Sequence, residues 1–363
     1  MTTTIISTTI NHGIHSGFGN YGTDLTITGS GVINAPLYGV YAASGDATML
    51  NEGVIHANTL GVLLNITTAS ALSGQAGLTN SASGFISGGS IGVALASTIP
   101  TQPYFTNAGT VQGADTGVYL HNGVLQNSGT ITGTGAGVAA RSGTITNTGL
   151  ISGSRYGVYL YGPAINFTDT GTILGGLYAI DAINTVTLSL GNSAVLDGTV
   201  LDHTGAGVLN LSGTQGTLTG LGTRVRGFST INLAPGASWT LEEDAAGLAT
   251  GQTINGFTLG DTLVLDGFSA ASETLTSTGL VLNNGSYTET LDIAGSFSTA
   301  DFTITDTLAA TTITTAVAPL FLPGHAPCHR ARQCAGGRFT PRRSRAHRNQ
   351  RRPAYPLDRP ARL

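Results

Sequence analysis

A short motif returns about every 20 residues in the first half of the chain. It has the form Asn-x-Gly-x followed by Ile or Val, with Gly-Val ending seven residues after that apolar residue. The clearest copies begin at Asn107, Asn127 and Asn147. A repeat this short, with fixed apolar positions, indicates a solenoid in which each repeat packs against its neighbours.

Seven copies keep the same internal spacing. The paired apolar residues are Ile33 and Val40, Ile55 and Val62, Ile86 and Val93, Val111 and Val118, Ile131 and Val138, Ile151 and Val158, and Ile173 and Ile180. A third apolar column precedes the Asn position by two residues: Ile27, Met49, Leu78, Phe105, Leu125, Ile145 and Phe167. In the first copy this alignment puts Gly29 at the Asn position.

Each repeat therefore offers three short apolar segments rich in Thr, Ile, Val and Tyr and bounded by Gly or Asn, as strands are. Three strands per repeat predict an all-β chain, a right-handed parallel β-helix (β-solenoid) of about seven coils of ~20 residues. We expect an N-terminal cap at 1–26, regular coils at 27–188 and a less regular β region at 189–318. That last region either continues and caps the solenoid or forms a small β-sandwich.

The Asn column has two structural explanations. Asn tolerates the left-handed backbone conformation that a corner needs, and its amide can donate and accept along a stack. The Gly two residues later is expected to form a tight turn.

Charge is distributed very unevenly along the chain. Residues 1–319 hold 4 Arg and 18 acidic residues, a net charge of −14, whereas residues 320–363 hold 11 Arg and one Asp, a net charge of +10. An acidic body argues against nucleic-acid binding, which needs a basic face. The segment 319–363 has no periodic pattern and is expected to be a disordered Arg/Pro-rich tail.

Other sequence features limit the class of protein further. No run of apolar residues is long enough for a transmembrane helix, and the N-terminus lacks an ordinary signal peptide pattern. Both cysteines, Cys328 and Cys334, lie in the tail, so the body has no disulfide framework. Cys328, His329 and Cys334 lack the paired spacing of a zinc site, and we assign no metal to them.

An enzyme is the main alternative to a scaffold, because polysaccharide-cleaving enzymes also use parallel β-helices. Glycoside hydrolysis needs two nearby carboxyl groups, but the Asn column and the column after Gly-Val contribute one acid each, Asp169 and Asp181. The densest cluster, Asp197, Asp202 and His203, is interpreted as a solvated loop. We predict no catalytic residues.

One segment of the chain has a weak likeness to a calcium site. Residues 260–267, with Asp261 and Asp266, faintly resemble calcium-binding repeats, but the Gly-Gly-x-Gly-x-Asp pattern of those repeats is missing. We therefore predict no metal site and no cofactor.

Three tyrosines are the candidate binding residues. Tyr41, Tyr119 and Tyr159 each follow an inward valine, so alternation along the strand points them outward. Outward tyrosines can stack on sugars or on a partner protein, and the competing interpretation is packing against aliphatic neighbours in the same column.

The Asn-x-Gly-x-Ile coils at about 27–190 resemble the passenger regions of bacterial autotransporter-like and haemagglutinin-like surface proteins. The stretch from residue 227 to 305 resembles the region that precedes a Hint (hedgehog/intein) domain in such proteins. The resemblance implies a non-enzymatic adhesin or structural passenger at the cell surface or outside the cell. Its partners would be a host or neighbouring cell surface, a matrix protein or a polysaccharide.

The tail departs from that resemblance. Hint domains open with Cys-Phe-x-x-Gly, whereas this chain has residues 320–324, Leu-Phe-Leu-Pro-Gly, and then leaves the pattern. Codons can be chosen so that dropping one nucleotide near His325 encodes Val-Glu-Asp-Leu-Arg-Pro-Gly-Asp, a Hint signature. We hypothesise a frameshifted Hint domain. Because Leu320 replaces the nucleophilic Cys, no self-cleavage is expected, and a truncated product without function is the third alternative.

Sequencing the locus around codon 325 tests the frameshift hypothesis. We expect the shifted register to encode the Hint signature. An open frame whose shifted register lacks that signature would contradict the hypothesis.

Overall fold

The computed structural model describes residues 3–68, 76–100, 102–244 and 252–316. These residues belong to one compact unit. Within them the only helical segment is a short 3-10 helix, Thr299–Asp301, and the rest of the regular structure is β. The predicted disordered tail, with Leu320, Cys328, His329 and Cys334, lies outside the described residues.

The strands are β1 (Thr3–Ile6), β2 (Thr9–Ile10), β3 (Ile14–Ser16), β4 (Asp24–Ile27), β5 (Val32–Ala35), β6 (Tyr38–Ser44), β7 (Thr48–Asn51), β8 (Val54–Ala57), β9 (Leu60–Thr68), β10 (Gly77–Asn80), β11 (Phe85–Gly88), β12 (Ile91–Ser97), β13 (Tyr104–Asn107), β14 (Thr110–Gly113), β15 (Thr116–Leu120), β16 (Val124–Asn127), β17 (Thr130–Gly133), β18 (Ala136–Asn147), β19 (Leu150–Gly153), β20 (Tyr156–Asp169), β21 (Thr172–Ala182), β22 (Thr187–Gly191), β23 (Val195–Asp202), β24 (Gly207–Ser212), β25 (Gly216–Leu221), β26 (Val225–Arg226), β27 (Phe228–Leu233), β28 (Trp239–Asp244), β29 (Thr253–Asn255), β30 (Thr262–Asp266), β31 (Ser272–Thr276), β32 (Gly279–Asn283), β33 (Thr288–Ala294), β34 (Phe302–Asp306) and β35 (Ala310–Thr315).

Parallel strands stack into a three-sided β-solenoid of about 11 turns, which confirms the predicted fold class. The Asn face contains β7, β10, β13 and β16 in register. The Ile face contains β8, β11, β14 and β17, and the Val face contains β9, β12, β15 and the first half of β18. At about 4.8 Å per turn, the stack is roughly 50 Å long.

The predicted inward columns form the core. The seven paired positions on the Ile and Val faces, from Ile33 and Val40 to Ile173 and Ile180, are all fully buried. Each residue lies directly over its counterpart in the preceding coil, as in the pairs Val111↔Ile131 and Val118↔Val138. Burying such side chains contributes about 1.5–3 kcal/mol each relative to leaving them in water.

The alignment of the first copy was wrong. Ile27, and not Gly29, pairs with Asn51, and Leu25 pairs with Met49 in the third apolar column. The first copy therefore carries two extra residues between its Asn position and its Ile position. The repeat spacing counted back from Ile33 cannot show this insertion, because the insertion lies between Ile27 and Ile33.

Coil stacking extends beyond the regular motif at both ends. Strands β1, β2 and β3 already pair in parallel with β4, β5 and β6. Beyond residue 188, β22, β24, β27 and β29 continue the Asn face. The boundaries at 26 and 188 stay predictions about domain organisation, since the stacking runs through both.

Antiparallel strands close the C-terminal end. Strand β35 pairs antiparallel with both β30 and β34, while β31, β32 and β33 form an antiparallel sheet whose last strand adds to β29. These pairings occupy backbone groups that the last parallel coil would otherwise leave open. The described residues of this region, 189–244 and 252–316, thus continue and cap the solenoid.

The Asn column is a buried hydrogen-bonded ladder. Each amide Nδ2 donates to the Oδ1 of the next coil at 2.7–2.8 Å, from Asn51 through Asn80, Asn107, Asn127 and Asn147 to Asp169. The amides also donate to a nearby backbone carbonyl, as Asn127 does to Gly129 O at 3.3 Å. Because these side chains are buried, each unpaired amide would cost about 1–3 kcal/mol.

The backbone conformations predicted for the Asn and Gly residues of the motif are wrong. Among the described non-glycine residues, Gln215 alone has a positive φ, so the Asn residues do not adopt the left-handed conformation. The Gly two residues later is not a positive-φ turn residue either. A Cβ on Gly109 would lie 2.2 Å from Ser81 O and 2.3 Å from Gly84 O in the coil below. Glycine is required there because the coils approach closely.

Asp169 ends the ladder and differs from its other members. Its Oδ1 accepts from Asn147 Nδ2 at 2.7 Å and from the Gly171 N–H at 3.2 Å, while Oδ2 is buried without a partner. Burial raises the pKa of Asp169 to about 6, although the two hydrogen bonds lower it. The next residue in the column is Leu190, which offers no polar group.

Removing one ladder amide should destabilise the solenoid. Replacing Asn127 with Ala removes the side-chain acceptor of Asn107 Nδ2 and the side-chain donor to Asn147 Oδ1, and leaves only longer bonds to the backbone. We expect the free energy of unfolding, measured by chemical denaturation, to fall by about 1–3 kcal/mol. Gln126→Ala is the control, since Gln126 is exposed on the same strand. Equal effects of both changes would contradict the ladder's role.

Asp169→Asn should stabilise the protein near neutral pH. The pKa of Asp169 is raised in the folded state. Its contribution to the free energy of unfolding is therefore fully present below the unfolded pKa of 3.8 and is lost as the pH rises through about 6. An Asn amide at this position can donate to Gly171 O, as Asn147 does to Gly149 O at 3.2 Å. We expect a gain of about 1–3 kcal/mol above pH 6 that disappears at acidic pH.

The control for this change is Asp197→Asn, which removes the same charge from an exposed position. Denaturation curves across the acidic range provide the measurement. A gain of the same size at all pH values would show that Asp169 is not the titrating group.

Candidate functional site

The outward side of the Val face carries the predicted tyrosines. Tyr41, Tyr119 and Tyr159 are half-buried, while the preceding valines are fully buried, so the predicted alternation is correct. The register places Tyr119, Ala139, Tyr159 and Asp181 one above another. Tyr41 lies three coils away from Tyr119, with Leu63 and Ala94 between them.

Tyr159 belongs to a row of four stacked rings. Its ring centroid lies 4.9 Å from that of Tyr156 and 5.6 Å from that of Tyr161, and Tyr156 lies 5.9 Å from Tyr178 on the next coil. The interplanar angles are 19–27°. The rings of Tyr156 and Tyr159 thus each have two aromatic neighbours, and the guanidinium carbon of Arg155 also lies 4.9 Å from the centroid of the Tyr156 ring.

The row is joined to Tyr119 by a hydrogen bond. Tyr161 Oη donates to Tyr119 Oη at 2.9 Å, across the intervening coil that carries the buried Ala139. Burial and this bond raise the pKa of Tyr161 well above its ordinary range. Tyr156, Tyr161 and Tyr178 were missed in the sequence, although Tyr161 stands two residues after Tyr159 and alternation would have placed it on the same face.

Tyr41 lies in a separate groove near the N-terminal end. The groove has a volume of about 530 Å³ and is lined by Tyr41, Tyr38, His15 and neighbouring apolar residues. The His15 ring lies 4.6 Å from the ring of Tyr41 and is stacked at 4.3 Å on Phe18, which is 66% exposed. The structure thus divides the three predicted tyrosines between two surfaces.

Asp181 forms a side-chain hydrogen bond that the sequence did not reveal. Its Oδ1 lies 2.8 Å from Nε2 of His203, whose side chain is 44% exposed. His203 had been grouped with Asp197 and Asp202 because they are close in sequence. Solenoid stacking instead brings it to the coil below, where its backbone N–H donates to Ala182 O.

The interpretation of Asp197, Asp202 and His203 as a solvated loop is wrong for the two acids, because both lie on strand β23 and Asp202 is buried in the core. Asp202 is buried, and its carboxylate accepts from the backbone N–H groups of Val186 and Thr204 at 2.8 Å and from the Thr204 hydroxyl. Asp197 is exposed on the same strand. Asp202 therefore fixes the chain between β23 and β24, and its lone pairs are engaged in structural hydrogen bonds.

Asp261 and Asp266, which resemble calcium ligands in sequence, have different environments. Asp261 is buried and accepts from the N–H groups of Trp239 and Thr258, and burial raises its pKa. Asp266 is exposed at the end of β30. In the described ranges no three His, Cys, Asp or Glu side chains are grouped so that they could hold a metal ion.

Comparison with known proteins gives no relative for this chain. No family model, curated protein or solved structure matches it. The fold itself defines the chain as a parallel β-solenoid repeat protein. No helix in the described part of the chain has the length and apolar character needed to cross a membrane.

Proposed function

We propose that this protein is a non-enzymatic surface or secreted β-solenoid, an adhesin or structural passenger that presents a repetitive face to a partner. The observation that carries the proposal is the outward side of the Val face, where the tyrosine row lies on stacked coils. Tyrosines supply a large contact area and hydroxyl groups at low cost in side-chain entropy. A surface fixed by two hydrogen-bonded neighbours per strand loses little freedom on binding.

The use of the buried acids also supports a scaffold. Asp169, Asp202 and Asp261 each accept hydrogen bonds from backbone N–H groups that would otherwise be unsatisfied. Asp181 is held by His203. A carboxylate engaged in this way holds neighbouring coils together, whereas a general acid and base pair needs two carboxyl groups directed at one substrate bond.

The partner class follows from the chemistry of the surface. Ring edges and phenol hydroxyls donate to oxygen acceptors, which suits a polysaccharide or the polar surface of a matrix protein. A location at the cell surface or outside the cell is the setting in which such a partner is met. The resemblance to autotransporter-like and haemagglutinin-like passengers, with a Hint domain following, is part of the same proposal.

Binding and cleavage assays with the full chain test this function. We expect the protein to bind a panel of immobilised polysaccharides and matrix proteins without releasing soluble products. Tyr159→Ala should weaken binding by about tenfold, because interface tyrosines contribute on the order of 1–2 kcal/mol each. Tyr287→Ala is the control, since Tyr287 is 46% exposed in the C-terminal region away from the Val face.

Turnover of a polysaccharide would decide against the proposal. Product release that is abolished by Asp197→Asn or Asp202→Asn would establish the alternative, a carbohydrate-active β-helix enzyme. Binding that is equally weakened by Tyr159→Ala and Tyr287→Ala would show that the tyrosine row is not the contact surface.

A further inference from the structure

A polar pocket lies beside the tyrosine row. It opens where the Val face turns towards the Asn face and has a volume of about 650 Å³, within the range of small-ligand sites. Its lining includes three side-chain amides, one guanidinium, an imidazole and hydroxyl groups: Gln102, Asn122, Asn166, Arg141, His121 and Ser142. The sequence analysis did not single out any of these residues.

Hydrogen bonds between neighbouring coils hold the lining in place. Gln102 Nε2 donates to Asn122 Oδ1 at 2.7 Å, which orients the Asn122 amide with its Nδ2 still able to donate. Ser142 Oγ donates to the His121 carbonyl at 2.7 Å. Polar groups that are fixed before binding cost less entropy when a ligand arrives.

Arg141 supplies the pocket's positive charge. Its Nη1 donates to His121 Nε2 at 2.8 Å, so the imidazole accepts at that nitrogen. In the described ranges no carboxylate lies within ion-pair distance of Arg141, and its charge is therefore not neutralised by a carboxylate there. This is notable in a segment, residues 1–319, that holds 4 Arg and 18 acidic residues.

Arg141 connects the pocket electrostatically with the aromatic surface. Tyr161 follows Leu160, which pairs with Ala140 beside Arg141, and the positive charge of Arg141 acts on the Tyr161 phenol, lowering its otherwise raised pKa. Tyr161 in turn bonds to Tyr119, two residues before His121.

We propose that this pocket binds a carboxylate-bearing sugar residue of an acidic glycan. The proposal deepens the function proposed above and rests on it. A guanidinium suits a carboxylate, which it can bind through two parallel hydrogen bonds. The amides and hydroxyls of Gln102, Asn122, Asn166 and Ser142 suit the many hydroxyl groups of a sugar ring, since each can donate or accept.

Calorimetric titration of the full chain with matched oligosaccharides tests the proposal. One arm compares an oligogalacturonate with its methyl ester, which has the same ring and no charge. A second arm compares a sialylated oligosaccharide with its asialo form. We expect one acidic member of these pairs to bind at least about tenfold more tightly than its neutral counterpart, consistent with a charge-assisted contact.

Arg141→Gln should remove this preference for the acid, because it weakens binding of the acidic member at least about tenfold more than binding of the neutral member. Arg155→Gln is the matched control, because Arg155 is also exposed and carries the same charge but lies over the Tyr156 ring at 4.9 Å. It should keep the preference. Asn166→Ala, a change at an exposed position in the pocket, should weaken binding of both members, and circular dichroism checks that each variant is folded.

The outcomes separate this proposal from the function on which it rests. Equal binding of acidic and neutral members by the wild-type chain, or equal effects of Arg141→Gln and Arg155→Gln, would overturn the acidic-sugar site and leave the adhesin proposal standing. Absence of binding to these oligosaccharides together with absence of binding to the wider panel of polysaccharides and matrix proteins would overturn both.

Discussion

The structure depends on one constraint: each coil must place its side chains directly over those of the coil below, one strand spacing away. At this spacing a buried amide can bond to the amide beneath it, and the ladder from Asn51 to Asp169 does so in every coil that it crosses. Any change in coil height would break several of these bonds together. The same constraint requires glycine where two coils touch through their backbones, as at Gly109.

Stacking also decides which residues meet on the outside. Residues about 20 positions apart become neighbours, while residues five positions apart on one strand can differ completely in exposure, as Asp197 and Asp202 do. The tyrosine row combines three positions of β20 with Tyr178 of the next coil. On a binding surface of this fold, neighbours along the solenoid axis therefore come from successive repeats. Neighbours across the face come from alternate positions along one strand.

The few charged residues of the body are used in two ways. Buried acids mostly complete backbone hydrogen bonds or end a ladder, and this explains how a weakly charged protein keeps carboxylates inside a β core. The exposed Arg141 has no such structural partner of opposite charge in the described part of the chain. Because positive charge is scarce on this surface, Arg141, next to the tyrosine row, is the residue that we propose binds an anionic ligand.

The sequence by itself determined the fold. The constant seven-residue spacing from Ile131 to Val138 and its equivalents fixed two inward columns, and Asn two residues after an apolar position fixed the third face. These signals were sufficient because few folds other than a solenoid stack similar buried residues from successive repeats directly over one another. The sequence also gave the direction of Tyr119 and Tyr159, since alternation along a strand follows from backbone geometry alone.

Tertiary structure decided the contacts that depend on insertions, bulges and side-chain reach. The two extra residues before Ile33 moved Ile27 into the Asn column. The register between β21 and β23 pairs Ala182 with Asp202, and His203, the next residue, lies 2.8 Å from Asp181. The bond from Tyr161 to Tyr119 crosses a whole coil, and the pocket around Arg141 gathers side chains from four coils. Repeat spacing fixes only which residues stack, whereas these sites depend on how far each side chain extends over its neighbours.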